Sequence, residues 1–263
     1  MALLSDAAHM LTDVIGLGMA LAAIQLASRF ATGRSTQASS HTFGLYRLEI
    51  LAAFVNALLL FAVAVWVLYE AAKRVFETPE VLGLPMLIVA VIGLVINVIA
   101  FLLLREGSKE SLNVEGAYLE VLADMVGSVG VIIAAILVQV FGWAWVDPVI
   151  GAAIGLWILP RTWRLGRRSV RILLQAAPEG FDLDALTQDL ANIDGVVDVH
   201  DLHVWTLTSE MDAASAHLMT QPAVDNHQVL DRARHLLHNS YGIGHGTFQI
   251  EPDTHTGCEQ VTW

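Results

Sequence analysis

The chain has 263 residues, 55% of them hydrophobic, and its mean hydropathy of +0.58 is too high for an ordinary soluble domain. Its single cysteine, Cys258, excludes an internal disulfide and any cysteine-based metal cluster. Charge is unevenly divided, because 14 of the 26 acidic residues but only two of the 14 lysines and arginines follow Pro178. This acidic part argues against binding of nucleic acid or anionic lipid, and it allows binding of cations.

Apolar stretches dominate the chain up to residue 176. Four of them carry no charge and reach or approach the roughly 20 residues that a membrane-spanning helix needs; they cover 14–28, 50–69, 81–104 and 125–146. A fifth stretch, 148–160, is short, but Trp145 before it and Trp163 after it can anchor it at the interfaces. We therefore predict an α-helical membrane bundle of about five transmembrane helices over residues 1–176.

The loops between these stretches indicate the orientation. Lysine and arginine are concentrated between the first and second stretches, between the third and fourth, and after the fifth, whereas the opposite loops hold only Lys73 and Arg74. Because basic residues favour the cytoplasmic side, the C-terminal part is predicted to lie in the cytoplasm. The predicted location is the cell membrane, crossed several times, with the N-terminus outside.

Residues 177–263 read as a separate, small α+β domain, and Pro178 and Gly180 mark the join. Leucines at helical spacing come first, and the segment VVDVHDLHVWTLTS follows as a strand rich in β-branched and aromatic residues. A strand at 212–219, a helix at 224–241 and a strand at 247–251 complete the order α-β-β-α-β. This order predicts a small sheet with helices on one face.

Two pairs of polar residues lie in or beside the apolar stretches at the same spacing. His9 and Asp13 are four residues apart, and so are Glu120 and Asp124. On a helix each pair shares one face, about 6 Å apart along the axis. Such groups are costly in hydrocarbon, and a cation between them removes the cost. One imidazole and three carboxylates suit a tetrahedral divalent ion such as zinc, with no thiolate for Cu(I); hydrogen bonds between helices with protonated acids are the alternative.

The chain resembles the cation diffusion facilitator family of zinc-type divalent metal/proton antiporters. The resemblance covers nearly the whole length and is carried by SDAAHMLTD, HTFGLYRLEILAAFVNALLL, GAYLEVLADMVGSVGVI, VDPVIG and VHDLHVWTLTS, with SAH and FQIEP further on. It implies a homodimer with a cytoplasmic ferredoxin-like metal-binding domain. It also implies a transport site formed by His9, Asp13, Glu120 and Asp124, and a regulatory zinc site formed by His200, His217, His245 and Glu251.

The expected function is efflux of a divalent metal cation in exchange for protons, with zinc as transported substrate and regulatory ligand. Binding to deprotonated acids and neutral imidazole releases protons, which provides the exchange. Glu120 stands where many zinc-transporting members have histidine, which favours cobalt, cadmium or manganese beside zinc. No Walker A or HExxH pattern is present, so neither an ATP-driven pump nor a metalloenzyme is expected.

Family members have six spans, and the resemblance implies that this sequence starts at the second of them, so that the first would precede Met1. The alternative function is therefore a non-transporting membrane metal sensor or partner subunit. Among the other histidines, we expect His203 to alternate away from His200 and to pack beside Trp205. His255 and Cys258 form a candidate ligand pair in the tail, and the remaining histidines are expected at the surface: His41, His227, His235 and His238.

Overall fold

The computed structural model describes residues 43, 45–75, 83–105, 112–208 and 211–255, together with Leu11, Ile15, Gly18, Ala22 and Gln25. For residues 75, 83–86 and 112–120 it describes the backbone alone. The described residues fall into two compact units. One comprises the described residues within Met1–Ala20 and Ala53–Gly166, and the other comprises those within Leu21–Ala52 and Arg167–Trp263.

Long helices make up the first unit and extend into the second. They are α1 (Arg47–Val75), α2 (Gly83–Leu104), α3 (Leu112–Phe141) and α4 (Val146–Leu173). Within the described residues, three helical segments are long and apolar enough to cross a membrane: Arg47–Arg74, Leu87–Leu104 and Val121–Phe141. Large apolar side chains such as Leu103 and Trp157, which are 78% and 73% exposed, suit contact with lipid. Helices thus cover 50–69, 83–104 and 125–141 of these predicted spans, whereas residues 142–145 form a turn before α4.

Small residues pack these helices together. Ala90 of α2 lies in one buried cluster with Val131, Ala134 and Ala135 of α3. Gly155 of α4 lies against α1, and a Cβ atom there would come within 3.3 Å of Leu68 Cγ. Close approach of backbones at small residues is how membrane helices associate, because lipid provides no hydrophobic driving force between them.

The first and fifth predicted spans have different outcomes. Most of 14–28 lies outside the described residues, although the described positions between Leu11 and Gln25 are helical. The stretch 148–160 is helical, but α4 does not end at Pro160 and continues through five arginines to Leu173. With these arginines, α4 is not among the described helices that are apolar enough to cross a membrane. That its first half crosses the membrane stays a prediction.

The second unit contains a three-stranded sheet with two helices on one face. Its elements are α5 (Leu183–Ala191), β1 (Val196–Thr208), β2 (Met211–Thr220), α6 (Asn226–Tyr241) and β3 (His245–Pro252). The strand order is β1-β2-β3; β1 and β2 are antiparallel, and β3 runs parallel to β2. This confirms the predicted α-β-β-α-β order.

Alternation along β2 separates a core face from an open face. Ala214, Ala216 and Leu218 pack against the buried side chains of the two helices, which include Leu190 and Leu237. The intervening residues of β2 therefore point to the face without helices. The carboxylates of Asp182 and Asp225 accept hydrogen bonds from the first turns of α5 and α6, which fixes where each helix begins.

The prediction that His203 alternates away from His200 is wrong, because β1 is irregular between them. The register shifts after His200, and Asp201 has a left-handed φ of 52°. His200 therefore pairs with His217, and His203 with Ser215, so that both histidines lie on the open face. His203 is about half exposed.

Candidate metal centre

Three side chains converge on the open face of the sheet. His200 of β1 lies directly opposite His217 of β2, with ring centroids 5.2 Å apart in an edge-to-face arrangement. In the parallel pairing of β2 with β3, His217 lies opposite Gln249, and Glu251 follows two residues later on the same face. Diagonal neighbours of this kind lie within reach of long side chains. The register alone thus brings an imidazole pair and a carboxylate together.

The distances within this group are those of a site for an ion. One ligand atom from each of His200, His217 and Glu251 lies within 4.8 Å of the other two. Glu251 Oε1 is 2.9 Å from His217 Nδ1, and Glu251 Oε2 is 3.5 Å from His200 Nε2. Glu251 is only 3% exposed. Among the described residues, neither His200 Nε2 nor His217 Nδ1 has a hydrogen-bond partner of normal geometry, although both atoms are buried.

Burial of a polar atom without a hydrogen bond costs roughly 1–3 kcal/mol, so two such nitrogens facing one carboxylate need an explanation. Zinc accepts imidazole nitrogen and carboxylate oxygen at roughly 2.0–2.2 Å, and sites with three protein ligands keep a fourth position open. Ligand atoms 2.9 and 3.5 Å apart can share one ion at such distances. The residues present therefore fit a divalent metal.

Residues that the sequence reasoning missed surround this group. Gln249 Nε2 donates a hydrogen bond of 2.7 Å to Glu251 Oε1, which orients the carboxylate. Asp198 lies two residues before His200, and its Oδ2 is 3.1 Å from His200 Nδ1. The Asp-x-His spacing in a strand was the available signal for Asp198, since residues two apart share a face.

His245 is not brought to this group within one chain. It begins β3, opposite Ala213, six residues before Glu251. At about 3.3 Å per residue the two are roughly 20 Å apart along the strand. The ring of His245 instead lies edge-on to Phe43, with centroids 6.2 Å apart.

The other cytoplasmic histidines have varied outcomes. His227, His235 and His238 are exposed on α6, as predicted. His255 is exposed, and its suggested partner Cys258 lies outside the described residues.

Of the four residues predicted for the transport site, only Asp124 has a described side chain. His9 and Asp13 lie outside the described residues, and Glu120 is placed in α3 by its backbone, one turn before Asp124. Asp124 is half-buried and lines a cavity of about 280 Å³ between α1, α3 and α4. Most of the lining is apolar, as at Leu60 and Ile154. The four-residue site itself stays a prediction.

Comparison with known proteins places these features in one family. Residues 1–174 match the family model described as the cation efflux transmembrane domain, and residues 178–253 match the one described as the cation efflux protein, cytoplasmic domain. The chain belongs to the cation efflux, or cation diffusion facilitator, family. It is therefore a multi-pass membrane protein for metal cation efflux with a cytoplasmic C-terminal domain, and it is not an enzyme.

Several curated proteins resemble this cation efflux chain over nearly all of its length. It is 47% identical to the metal cation efflux system protein CzcD of Cupriavidus metallidurans, over 99% of this chain and 80% of that protein. It is 37% identical to the cadmium, cobalt and zinc/H(+)-K(+) antiporter of Bacillus subtilis, over 97% and 81%. It is 40% identical to the zinc transporter ZitB of Yersinia pestis, over 95% and 79%.

Proposed function

We propose that this cation efflux protein exports divalent metal ions, zinc foremost, from the cytoplasm in exchange for protons. The observation that carries the proposal is the half-buried carboxyl group of Asp124, which lines a mostly apolar cavity among three helices, together with Arg161 and Thr162. An ionisable group at such a place is expensive, and in membrane proteins it marks an ion or proton pathway. The relatives named for zinc, cadmium and cobalt support divalent ions as the substrate.

The proposed transport site consists of His9, Asp13, Glu120 and Asp124. Asp124 follows Glu120 by one helical turn, so their positions share one face of α3. Metal binds the deprotonated ligands, and protons bind them once the metal has left. A site that opens alternately to the two sides then exchanges metal for protons.

The proposed regulatory site consists of His200, His217 and Glu251, with zinc as its ligand. It belongs to the cytoplasmic domain, which we assign to residues 177–263, after a membrane domain of residues 1–176. His245, expected from the resemblance, is omitted from the site of a single chain because of its distance. We further propose that the protein is a homodimer in the lipid bilayer.

Transport by purified protein in vesicles tests this function. With a pH gradient and a metal-sensitive dye, zinc flux is expected in the wild type and lost in Asp124→Ala. Gln139→Ala changes an exposed polar residue of the same helix and serves as the control. Flux that persists in Asp124→Ala contradicts the site, and flux indifferent to the pH gradient contradicts proton exchange. Metal binding without flux in the wild type would instead favour a sensor.

The same assay tests metal choice at Glu120. With three carboxylates the site is more anionic and harder than one with two imidazoles, which favours manganese beside zinc. We propose cobalt and cadmium as further substrates because the Bacillus subtilis relative is named for them. Glu120→His is expected to narrow the profile toward zinc when a panel of divalent metals is compared. An unchanged profile would show that Glu120 does not set selectivity.

A further inference from the structure

We propose that Asp198 and Asp201 hold the two histidines of the regulatory site in opposite tautomers, so that His200 binds the metal through Nε2 and His217 through Nδ1. The inference rests on the proposed regulatory site and adds to it two positioning residues and the identity of the ligating atoms. It is carried by the contacts on the far side of each ring, away from Glu251.

The contact of Asp198 determines the tautomer of His200. Asp198 Oδ2 lies 3.1 Å from His200 Nδ1. A carboxylate can only accept a hydrogen bond, so the ring hydrogen must be on Nδ1. In the neutral ring the lone pair is then on Nε2, which is the buried nitrogen that faces Glu251. The atom free to ligate and the atom that points into the site are therefore the same.

His217 has the reverse arrangement. Its Nδ1 lies 2.9 Å from Glu251 Oε1 without the geometry of a hydrogen bond, and its Nε2 points toward Asp201, 3.7 Å from Oδ2. When Nδ1 binds a metal, the ring hydrogen is on Nε2, where the negative charge of Asp201 stabilises it. Without metal, the closer carboxylate of Glu251 favours a hydrogen on Nδ1, so zinc must displace that hydrogen. Asp201 thus favours the tautomer that metal binding needs.

Asp201 has a strained backbone conformation, and its carboxylate lies beside His217 Nε2. Its φ of 52° is left-handed, which L-residues other than asparagine and aspartate rarely adopt, and it coincides with the irregularity of β1. Such irregularities redirect side chains and recur beside functional sites. Asp201 Oδ1 is held by His203 Nε2 at 3.0 Å, so the carboxylate is fixed from outside the site. This also gives the exposed His203 a role.

Outer carboxylates of this kind fix the tautomer and orientation of a ligating histidine and typically change metal affinity 10- to 100-fold. The other reading is that Asp198, with 59% of its side chain exposed, is an ordinary surface acid. The two readings differ in what removal of the carboxylate does to the ring of His200.

The test uses the full chain in lipid nanodiscs, labelled with ¹⁵N in histidine, with zinc alone as the probe. Nitrogen shifts report which ring atom carries the hydrogen and which binds zinc, and His200→Gln and His217→Gln assign the signals. Zinc affinity is measured by competition with a chelator in an Asp124→Ala background, which removes the proposed transport site. Asp198→Ala and Asp201→Asn are the test variants; asparagine tolerates the left-handed φ at 201.

Two matched variants accompany them. Asp194→Ala removes an acid four residues earlier that is 91% exposed and pairs with Arg232 at the surface, so no change is expected. Asp198→Asn keeps an oxygen that can accept from Nδ1 and should retain most of the affinity lost in Asp198→Ala.

With zinc bound, we expect a hydrogen on His200 Nδ1 and on His217 Nε2, and zinc shifts on the opposite atoms. Without zinc, the hydrogen of His200 should already be on Nδ1. Asp198→Ala should lower zinc affinity about 10- to 100-fold and mix the tautomers of the zinc-free His200 ring. Asp201→Asn should lower the affinity as well, because asparagine lacks the charge that acts on His217 Nε2 across 3.7 Å. A zinc-induced nitrogen shift on His200 Nδ1 would overturn this inference but not the regulatory site itself. Equal zinc affinities of Asp198→Ala and Asp194→Ala would have the same meaning. Absence of zinc shifts at both histidines in the wild type overturns the regulatory site as well.

Discussion

Glu251 is the residue on which the candidate metal centre depends most. A carboxylate that is 3% exposed loses nearly all of its hydration, and such burial is tolerated only with compensating partners. The hydrogen bond from Gln249 supplies part of this compensation. The two imidazoles compensate the charge of Glu251 only when a proton or a metal ion lies between them and the carboxylate. We therefore expect Glu251 to link the stability of the domain to metal binding.

Replacement of Glu251 by glutamine tests this link. The change keeps the shape but removes the charge, so zinc should bind far more weakly. Zinc at 100 times its Kd should stabilise the wild-type domain by about 2.7 kcal/mol, raise its unfolding temperature, and lose the effect on addition of EDTA. Glu251→Gln should show no such rise, whereas the exposed control Glu179→Gln should behave as wild type. Near-ultraviolet circular dichroism during heating measures this, and an undiminished rise in Glu251→Gln would contradict it.

Tyr241 is a second residue whose environment allows a quantitative expectation. Partial burial, together with its hydrogen bond of 2.7 Å to Asp189 Oδ2, raises the pKa of Tyr241 to about 12. Because the folded-state pKa exceeds the ordinary value, the contact stabilises the domain below about pH 10 and loses its contribution as the pH rises through 12.

Asp189→Asn should move the pKa of Tyr241 part of the way back toward 10, since the burial remains. Absorbance at the tyrosinate band during alkaline titration, with Tyr241→Phe subtracted, isolates this group. Asp184→Asn, an exposed change on the same helix, should leave the titration where it is. An equal shift in both variants would mean that Asp189 has no specific effect.

At the scale of elements, sequence periodicity predicted the order of helices and strands in the cytoplasmic domain, because each has one buried face. The resemblance to the family, rather than periodicity, indicated His200, His217 and Glu251, and each of them lies on a different strand. It could not exclude His245, since only the parallel register of β2 and β3 shows which end of β3 lies beside His217. The sequence likewise could not show on which face of the sheet His203 lies, because the left-handed φ of Asp201 reverses the alternation of side chains along β1.

The membrane helices show the same limit. Hydropathy located α1, α2 and α3, where apolar residues continue for whole spans. It indicated a short fifth stretch, 148–160, that could be extended to Trp163, whereas α4 continues to Leu173. The proline removes one hydrogen bond of the helix, but the arginines after it are good helix formers. The transport site could be predicted only as a pattern of two residue pairs.

The turn between α5 and β1 provides a test at this scale. Gly195 has a φ of 93°, and a Cβ atom there would come within 2.7 Å of Val224 Cγ1. Gly195→Ala therefore combines backbone strain with a clash, and we expect a loss of roughly 2–4 kcal/mol in unfolding free energy. Gly180 also has a left-handed φ, of 76°, but a Cβ atom there would meet no other atom within 4 Å. Gly180→Ala should therefore lower the unfolding free energy by only about 1 kcal/mol. Denaturant unfolding measures both, and equal losses would show that the clash is relieved.

For the whole molecule, the division of charge is the main feature. The net charge of −12 resides in the part after Pro178, since the part before it carries equal numbers of acids and bases. In the proposed homodimer, two such domains repel each other at close range. Divalent ions bound to the regulatory sites would reduce this repulsion.

We therefore expect zinc to bring the two cytoplasmic domains closer together. Spin labels at Asp194→Cys, in a Cys258→Ser background, give the distance between the two copies by pulsed electron resonance. On addition of zinc, the distribution of distances between the labels should shift to shorter values or become narrower. Glu251→Gln should abolish this change. Because exposed charges are screened, high salt should reproduce part of the effect without metal. Identical distance distributions with and without zinc would rule out this arrangement.

The position of β3 has a consequence for how the protein is made. The carboxylate of the regulatory site lies near the end of the last strand, which joins β2 only after α6 has crossed over. While the ribosome is still translating α6, the nascent chain already contains both imidazoles but not Glu251, and so it has no complete cradle for an ion. If zinc occupies the proposed regulatory site, we therefore expect it to bind only after β3 has joined the sheet.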